Sequence, residues 1–247
     1  MIHVHRYGSG PKIYVGLHGW AGSHLTFAPF APHVPSDASL YAIDLPGYGR
    51  SPRPRRWSAD AVAEEIQGAI EQLTGDRVTL VGNCSGAILS VVAARLMRER
   101  VTRMVLIDPF AYAPWYFGVF TRPGYGRIAY RCTFANPVGR WITNASLRRV
   151  RTAETHLTES FADINHEASL GYLQMLQAID GLGQFSSLRM PVDIAYGERT
   201  FAAIKESIPM WLSIWPQATV FRLDGAGHLP IEEATSALAQ IVFRAPA

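Results

Sequence analysis

Val78-Thr79-Leu80-Val81, then Gly82-Asn83-Cys84-Ser85-Gly86, then Ala87-Ile88-Leu89-Ser90-Val91-Val92-Ala93-Ala94 read as a strand, a sharp turn and a helix in one unbroken stretch. Small residues flanking the turn let the backbone reverse tightly. This is the G-x-Nuc-x-G pattern of a nucleophile elbow, which lifts its central side chain above the end of a strand. In that register the central residue is Cys84. The competing register would centre on Ser85, with Asn83 and Ala87 two residues either side. Gly82 and Gly86 around Cys84 suit the turn better, because glycine accepts strained dihedrals without a Cβ clash. Most free cysteines act as small buried apolar residues. A cysteine at an elbow is expected to be exposed for chemistry, and an acyl group moved onto it would be held as a thioester.

Similar alternations flank this stretch on both sides. Lys12-Ile13-Tyr14-Val15-Gly16-Leu17 reads as a strand running into His18-Gly19-Trp20-Ala21-Gly22-Ser23, and Ser39-Leu40-Tyr41-Ala42-Ile43 as one running into Asp44-Leu45-Pro46-Gly47-Tyr48-Gly49-Arg50-Ser51. A helix is predicted over 58–73, capped by Ser58 and buried through Val62, Ile66, Ala69, Ile70 and Leu73. Further strands are Arg103 to Pro109, Val192 to Gly197 and Thr219 to Leu223; Gly225-Ala226-Gly227-His228-Leu229-Pro230 follows the last of these. Short β-branched runs alternating with helices predict an α/β fold with a mostly parallel central sheet covered on both faces. Residues 109–190 are too long for a simple strand connection. They are expected to form a helical lid inserted after the strand ending at Asp108, on a core of residues 1–108 and 191–247.

The chain resembles the α/β-hydrolase fold superfamily over nearly its full length. The His18-Gly19-Trp20 loop, the Asp44-Leu45-Pro46-Gly47-Tyr48-Gly49-Arg50-Ser51 loop, the elbow and the Gly227-His228 loop stand in the superfamily's order. The resemblance implies that His228, after the last strand, is the general base. It also implies that the backbone N–H groups of Ser85 and Trp20 form an oxyanion hole. Many relatives carry their acid where this chain has Thr200, which cannot supply a negative charge. Asp108, one strand earlier, is similar to the placement in thioesterase domains of polyketide and peptide synthases. The expected triad is therefore Cys84, His228 and Asp108, with Glu198 as second candidate for the acid. His18 is expected to shape its loop. His3, His5, His24, His33, His156 and His166 have no context that suggests chemistry.

A cysteine nucleophile narrows the substrate. Moving an acyl group from an oxygen ester to sulfur is uphill, because a thioester is less resonance-stabilised; moving it from another thioester is nearly balanced. The expected activity is thus a thioesterase or acyltransferase, cyclases included, working on acyl thioesters of coenzyme A or of an acyl carrier protein. An ester or lactone hydrolase with the same triad, resembling dienelactone hydrolase, is the alternative. A non-catalytic ligand-binding relative is the third reading.

Composition sets the remaining bounds. The 247 residues carry a formal charge of +3, yet Arg122, Arg127, Arg131, Arg140, Arg148, Arg149 and Arg151 cluster between 109 and 153 with no acidic residue among them. Such a block suits phosphates or an acidic carrier protein, or is a solvated face. Phe110, Tyr112, Trp115, Tyr116, Phe117, Phe120, Tyr125 and Tyr130 crowd the same segment and predict an apolar acyl pocket, although packing explains many of them. Met1 to Arg6 alternates and lacks the apolar core of a signal peptide. No run of about 18 apolar residues suggests a membrane span. The two cysteines make no metal-ligand spacing, and a working thiol suits a reducing cytoplasm. Neither metal, cofactor nor nucleic acid is expected.

Overall fold

The computed structural model describes residues 1–73, 75–179 and 181–245. Seven strands form one sheet: β1 Val4–Gly8, β2 Lys12–Leu17, β3 Ala38–Ile43, β4 Val78–Asn83, β5 Val101–Ile107, β6 Val192–Gly197 and β7 Thr219–Leu223. Their spatial order is β1-β3-β2-β4-β5-β6-β7, and only β1 runs antiparallel to its neighbour. The expected parallel sheet is present, and its strands match the sequence reading to within a few residues at their ends. Strand β5 stops at Ile107, so Asp108 is the first residue beyond it.

Alternate residues of each strand feed two separate cores, as the two-residue period of a strand requires. Ile13, Val15, Leu17, Leu80, Met104, Leu106 and Ile194 face α1 (Ala59–Glu71) and α2 (Ser85–Leu96). Tyr14, Val81, Val105, Ile107 and Ala195 face the opposite way, onto Phe27, Phe30, Leu238 and Val242. Ser58 caps α1 as expected, its hydroxyl accepting from the Ala61 amide. One charge lies inside the second layer. Arg103 is 1 % exposed, forms an ion pair with Asp193 and donates to the carbonyls of Val242 and Arg244, so each of its donors meets an oxygen.

Between β5 and β6 the chain makes α3 (Gly118–Thr121), α4 (Gly126–Tyr130), α5 (Pro137–Ser146) and α6 (His166–Gln177), joined by single turns. Tyr130, Phe134, Phe161 and Leu170 of this segment form a third small core with Ala21, and Trp20 packs against it. The chain closes through α7 (Ala202–Ile214), β7, α8 (Pro230–Glu233) and α9 (Thr235–Phe243). Loops leaving the carboxyl ends of β2, β4, β5, β6 and β7 converge at one edge of the sheet, where open α/β sheets form their crevices.

Candidate active site

Cys84 sits between the end of β4 and the start of α2 with φ 52° and ψ −115°. A positive φ on a residue with a side chain costs energy that the surroundings must hold in place. Two glycines do so. A Cβ on Gly86 would stand 2.1 Å from the Leu17 carbonyl oxygen, and one on Gly82 would stand 2.5 Å from Cα of Ala87. The Cys84 amide donates to the Ile107 carbonyl at 2.8 Å, which ties the turn to β5. The strained residue is thus Cys84, while Ser85 is the first residue of α2 and is almost buried.

Asp108, also at positive φ (47°), lies fully buried after β5. Its Oδ1 accepts from the Gly197 amide at 2.9 Å, and its Oδ2 lies 2.8 Å from Nδ1 of His228. The structure also brings Thr200 into this group. Its hydroxyl donates to Asp108 Oδ2 at 2.5 Å, and its oxygen lies 3.3 Å from His228 Nδ1. The threonine at the position where relatives carry an acid is therefore a neighbour of the acid, a role that residue type alone did not suggest. Glu198 turns elsewhere and accepts from the Gly225 amide at 2.8 Å.

Burial pulls the His228 pKa down. The charge on Cys84, hydrogen bonds to Asp108 and Cys84, and the charge on Asp108 outweigh it and raise the pKa from 6.5 to about 10. Phe201 packs edge-on to the imidazole, with ring centroids 4.6 Å apart. The loop carrying His228 is held from outside the sheet. The His228 amide donates to the Val150 carbonyl at 2.7 Å. Glu233 accepts from the Gly227 amide, the Thr152 amide and the Thr155 hydroxyl. Glu233 thus clamps residues 150–155 onto the histidine loop; nothing in its local sequence marked it.

Loop 18–23 closes the other side. A Cβ on Gly19 would meet Cβ of Cys84 at 3.1 Å, so this loop lies against the elbow. His18 is fully buried. Its Nδ1–H donates to the Gly19 carbonyl at 2.8 Å, and its Nε2 accepts from the Leu45 amide at 3.0 Å. That pair of bonds needs the neutral ring. Burial lowers the His18 pKa from 6.5 to about 4, against the opposing bond to Gly19. Trp20 follows, its indole donating to the Ser169 carbonyl at 2.8 Å and packing against Phe134 and Phe161.

Above these residues opens a cavity of about 840 Å³. Cys84, Ser85, Trp20 and His228 line one side, and Phe110, Tyr112, Trp115, Tyr116, Phe117 and Phe120 are among the residues lining the rest. Of the eight aromatics singled out in the sequence, Tyr125 is exposed and Tyr130 is buried away from the cavity. Tyr116 comes near enough that burial, the Tyr112 hydroxyl and the Cys84 charge together raise its pKa to about 12.

Related proteins share the fold and differ in chemistry. Pimeloyl-[acyl-carrier protein] methyl ester esterase of Klebsiella pneumoniae subsp. pneumoniae is 27% identical over 240 residues, covering 90% of this chain and 89% of its own. Lipase LipV of Mycobacterium tuberculosis is 31% identical over 109 residues, 44% of this chain and 41% of its own. Among solved structures, the enol-lactonase from Burkholderia xenovorans LB400 superposes with a TM-score of 0.81 at 17% identity, covering 98% of this chain and 94% of its own. An esterase from Thermogutta terrifontis gives 0.79 at 19% identity, covering 98% and 91%. The model of the alpha/beta hydrolase fold matches residues 15–235, and the chain belongs to that family.

Proposed function

We propose that this protein is an acyl-transfer hydrolase that uses Cys84 as nucleophile on an acyl thioester carried by an acyl carrier protein or coenzyme A. The observation that carries the reading is a strained Cys84 at the mouth of an apolar cavity that His228 also lines, the histidine being paired with Asp108 at 2.8 Å. His228 takes the thiol proton, and Asp108 stabilises the resulting imidazolium and holds its orientation. Sulfur attacks the acyl carbon. The negative charge that develops on the carbonyl oxygen meets the Ser85 amide, at the unpaired N-terminus of α2, and the Trp20 amide. The imidazolium then gives its proton to the departing thiol, leaving a thioester on Cys84. In hydrolysis, water attacks this thioester after giving a proton to His228, which returns it to the Cys84 sulfur. The cavity suits an apolar acyl chain, and residues 109–190 serve as the lid over it.

Hydrolysis of a carboxylic ester on a carrier-borne chain is the second reading. It is favoured by the carrier-linked methyl ester named for the relatives that span nine-tenths of this chain. Intact-mass spectrometry separates the two readings, using matched acyl thioesters and methyl esters with the same acyl group. The first reading expects an acyl adduct on Cys84 that builds up faster from the thioester. Turnover that persists in Cys84→Ala would sink both.

A further inference from the structure

On the far side of loop 18–23, three segments distant in sequence bring together side chains that the chemistry at Cys84 does not use. His3 leads into edge strand β1, His24 follows the capping Ser23, and Asp44 directly follows β3. Each offers one ligand atom, and these atoms all lie within 4.8 Å of one another. We propose that His3, His24 and Asp44 form a binding site for a divalent transition metal of the zinc class.

The donor set is the first argument. Two imidazole nitrogens and one carboxylate oxygen suit Zn²⁺ and its first-row neighbours, leaving a position for water. Ligand atoms bound at about 2 Å from one ion stand roughly 3 to 3.5 Å apart. His24 Nδ1 is already 2.8 Å from Asp44 Oδ1, and the remaining spread closes with ring shifts of about 1 to 2 Å. The second argument is an unpaired atom. Nε2 of His3 is shielded from water and has no hydrogen-bond partner among the described residues. A buried ring nitrogen without a partner costs stability unless something takes its lone pair or proton. The third is charge. Asp44 is fully buried, its oxygens accept from the backbone amides of His24 and Arg50, and no lysine or arginine pairs with it among the described residues. The rings of His3 and His5 lie 5.1 and 5.2 Å from that of His24, so two further imidazoles stand beside the ring that pairs with the carboxylate.

The site would be structural. Through His24 it anchors the far end of the loop that carries the Trp20 amide, and through Asp44 the residue before Leu45, whose amide holds His18. It rests on none of the assignments made for Cys84.

The test uses the full chain carrying Cys84→Ser and Cys132→Ser, so that neither thiol can bind metal. Zn²⁺ is titrated in competition with a chromophoric chelator, and Co²⁺ is followed by visible absorption. One equivalent should bind, and His3→Gln and His24→Gln should each weaken binding by more than about tenfold. His24 also donates to Asp44, so its replacement can disturb folding. The His3 nitrogen has no bond to lose, and His3→Gln, with its fold checked by circular dichroism, decides the matter alone. Equal affinity in the parent and His3→Gln overturns the site. So does an absence of binding, or binding lost through His228→Gln instead.

Discussion

Cys84 and Ser85 are adjacent, and their positions on the backbone assign them different work. Cys84→Ala should abolish turnover, whereas Ser85→Ala should retain most of it, because the role proposed for Ser85 uses an amide that alanine also has. Cys84→Ser should keep some activity and shift preference from thioesters toward oxygen esters; steady-state kinetics on a matched pair checks all three variants. Asp108→Asn should cost on the order of 10²- to 10⁴-fold in kcat, since the imidazolium loses its counter-charge and its tautomer control. Glu198→Gln should cost little. Thr200→Val removes one hydrogen bond to a carboxylate and should cost roughly tenfold. The raised His228 pKa has a testable sign. In the proposed reaction the imidazolium that protonates the leaving group persists through neutral pH, so kcat/KM should hold there and fall as pH approaches about 10. Cys84→Ala removes the largest of the raising influences, and the imidazole should then titrate lower by NMR. The same shift adds stability that is complete below about 6.5 and fades as pH rises toward 10.

At the scale of elements, the elbow depends on its glycines and the 18–23 loop on a neutral histidine. Gly86→Ala drives a methyl group into the Leu17 carbonyl, a backbone atom that cannot swing aside, and should cost about 2 kcal/mol or more, read as a fall in the denaturation midpoint. His18 contributes the opposite pH behaviour to His228. Its folded pKa lies below its unfolded one, so between pH 6.5 and about 4 only the unfolded chain takes up the proton, and stability rises with pH across that window. The shift is worth about 3 kcal/mol. Urea unfolding at pH 4 and pH 7 should show a larger difference for the parent than for His18→Gln. The elements themselves were largely readable. Period-two runs predicted the strands, and Ser58 predicted the start of α1, because hydrogen bonding and burial repeat locally. Thr200 and Glu233 were not readable as site residues. Their partners lie at Asp108 and at residues 152–155, and no local pattern encodes contacts across such separations.

At the scale of the whole molecule, the structure divides the arginine block by what each residue already holds. Arg140 and Arg151 donate to backbone carbonyls of their own segment, and Arg127 pairs with Glu167. Arg122, Arg131, Arg148 and Arg149 are exposed and remain candidates for capturing an anionic donor. Reversing Arg148 and Arg149 to glutamate should lower kcat/KM for carrier-borne or coenzyme A substrates, most at low ionic strength, while a short thioester without phosphates is little affected. Equal losses on both would mark a disturbed lid. The sequence by itself determined the α/β class, the order of the strands along the chain, the elbow and the candidacy of Cys84, His228 and Asp108. Each of these follows from local periodicity, from turn chemistry or, for His228 and Asp108, from the family resemblance that the motifs carry. Only the tertiary structure decided that Asp108 and His228 meet, that Thr200 bridges them, that Glu233 clamps the histidine loop, and that His3, His24 and Asp44 converge behind it. Those contacts form where strands distant in sequence end side by side, and the packing of the sheet and its helices, not any run of residues, sets which ends become neighbours.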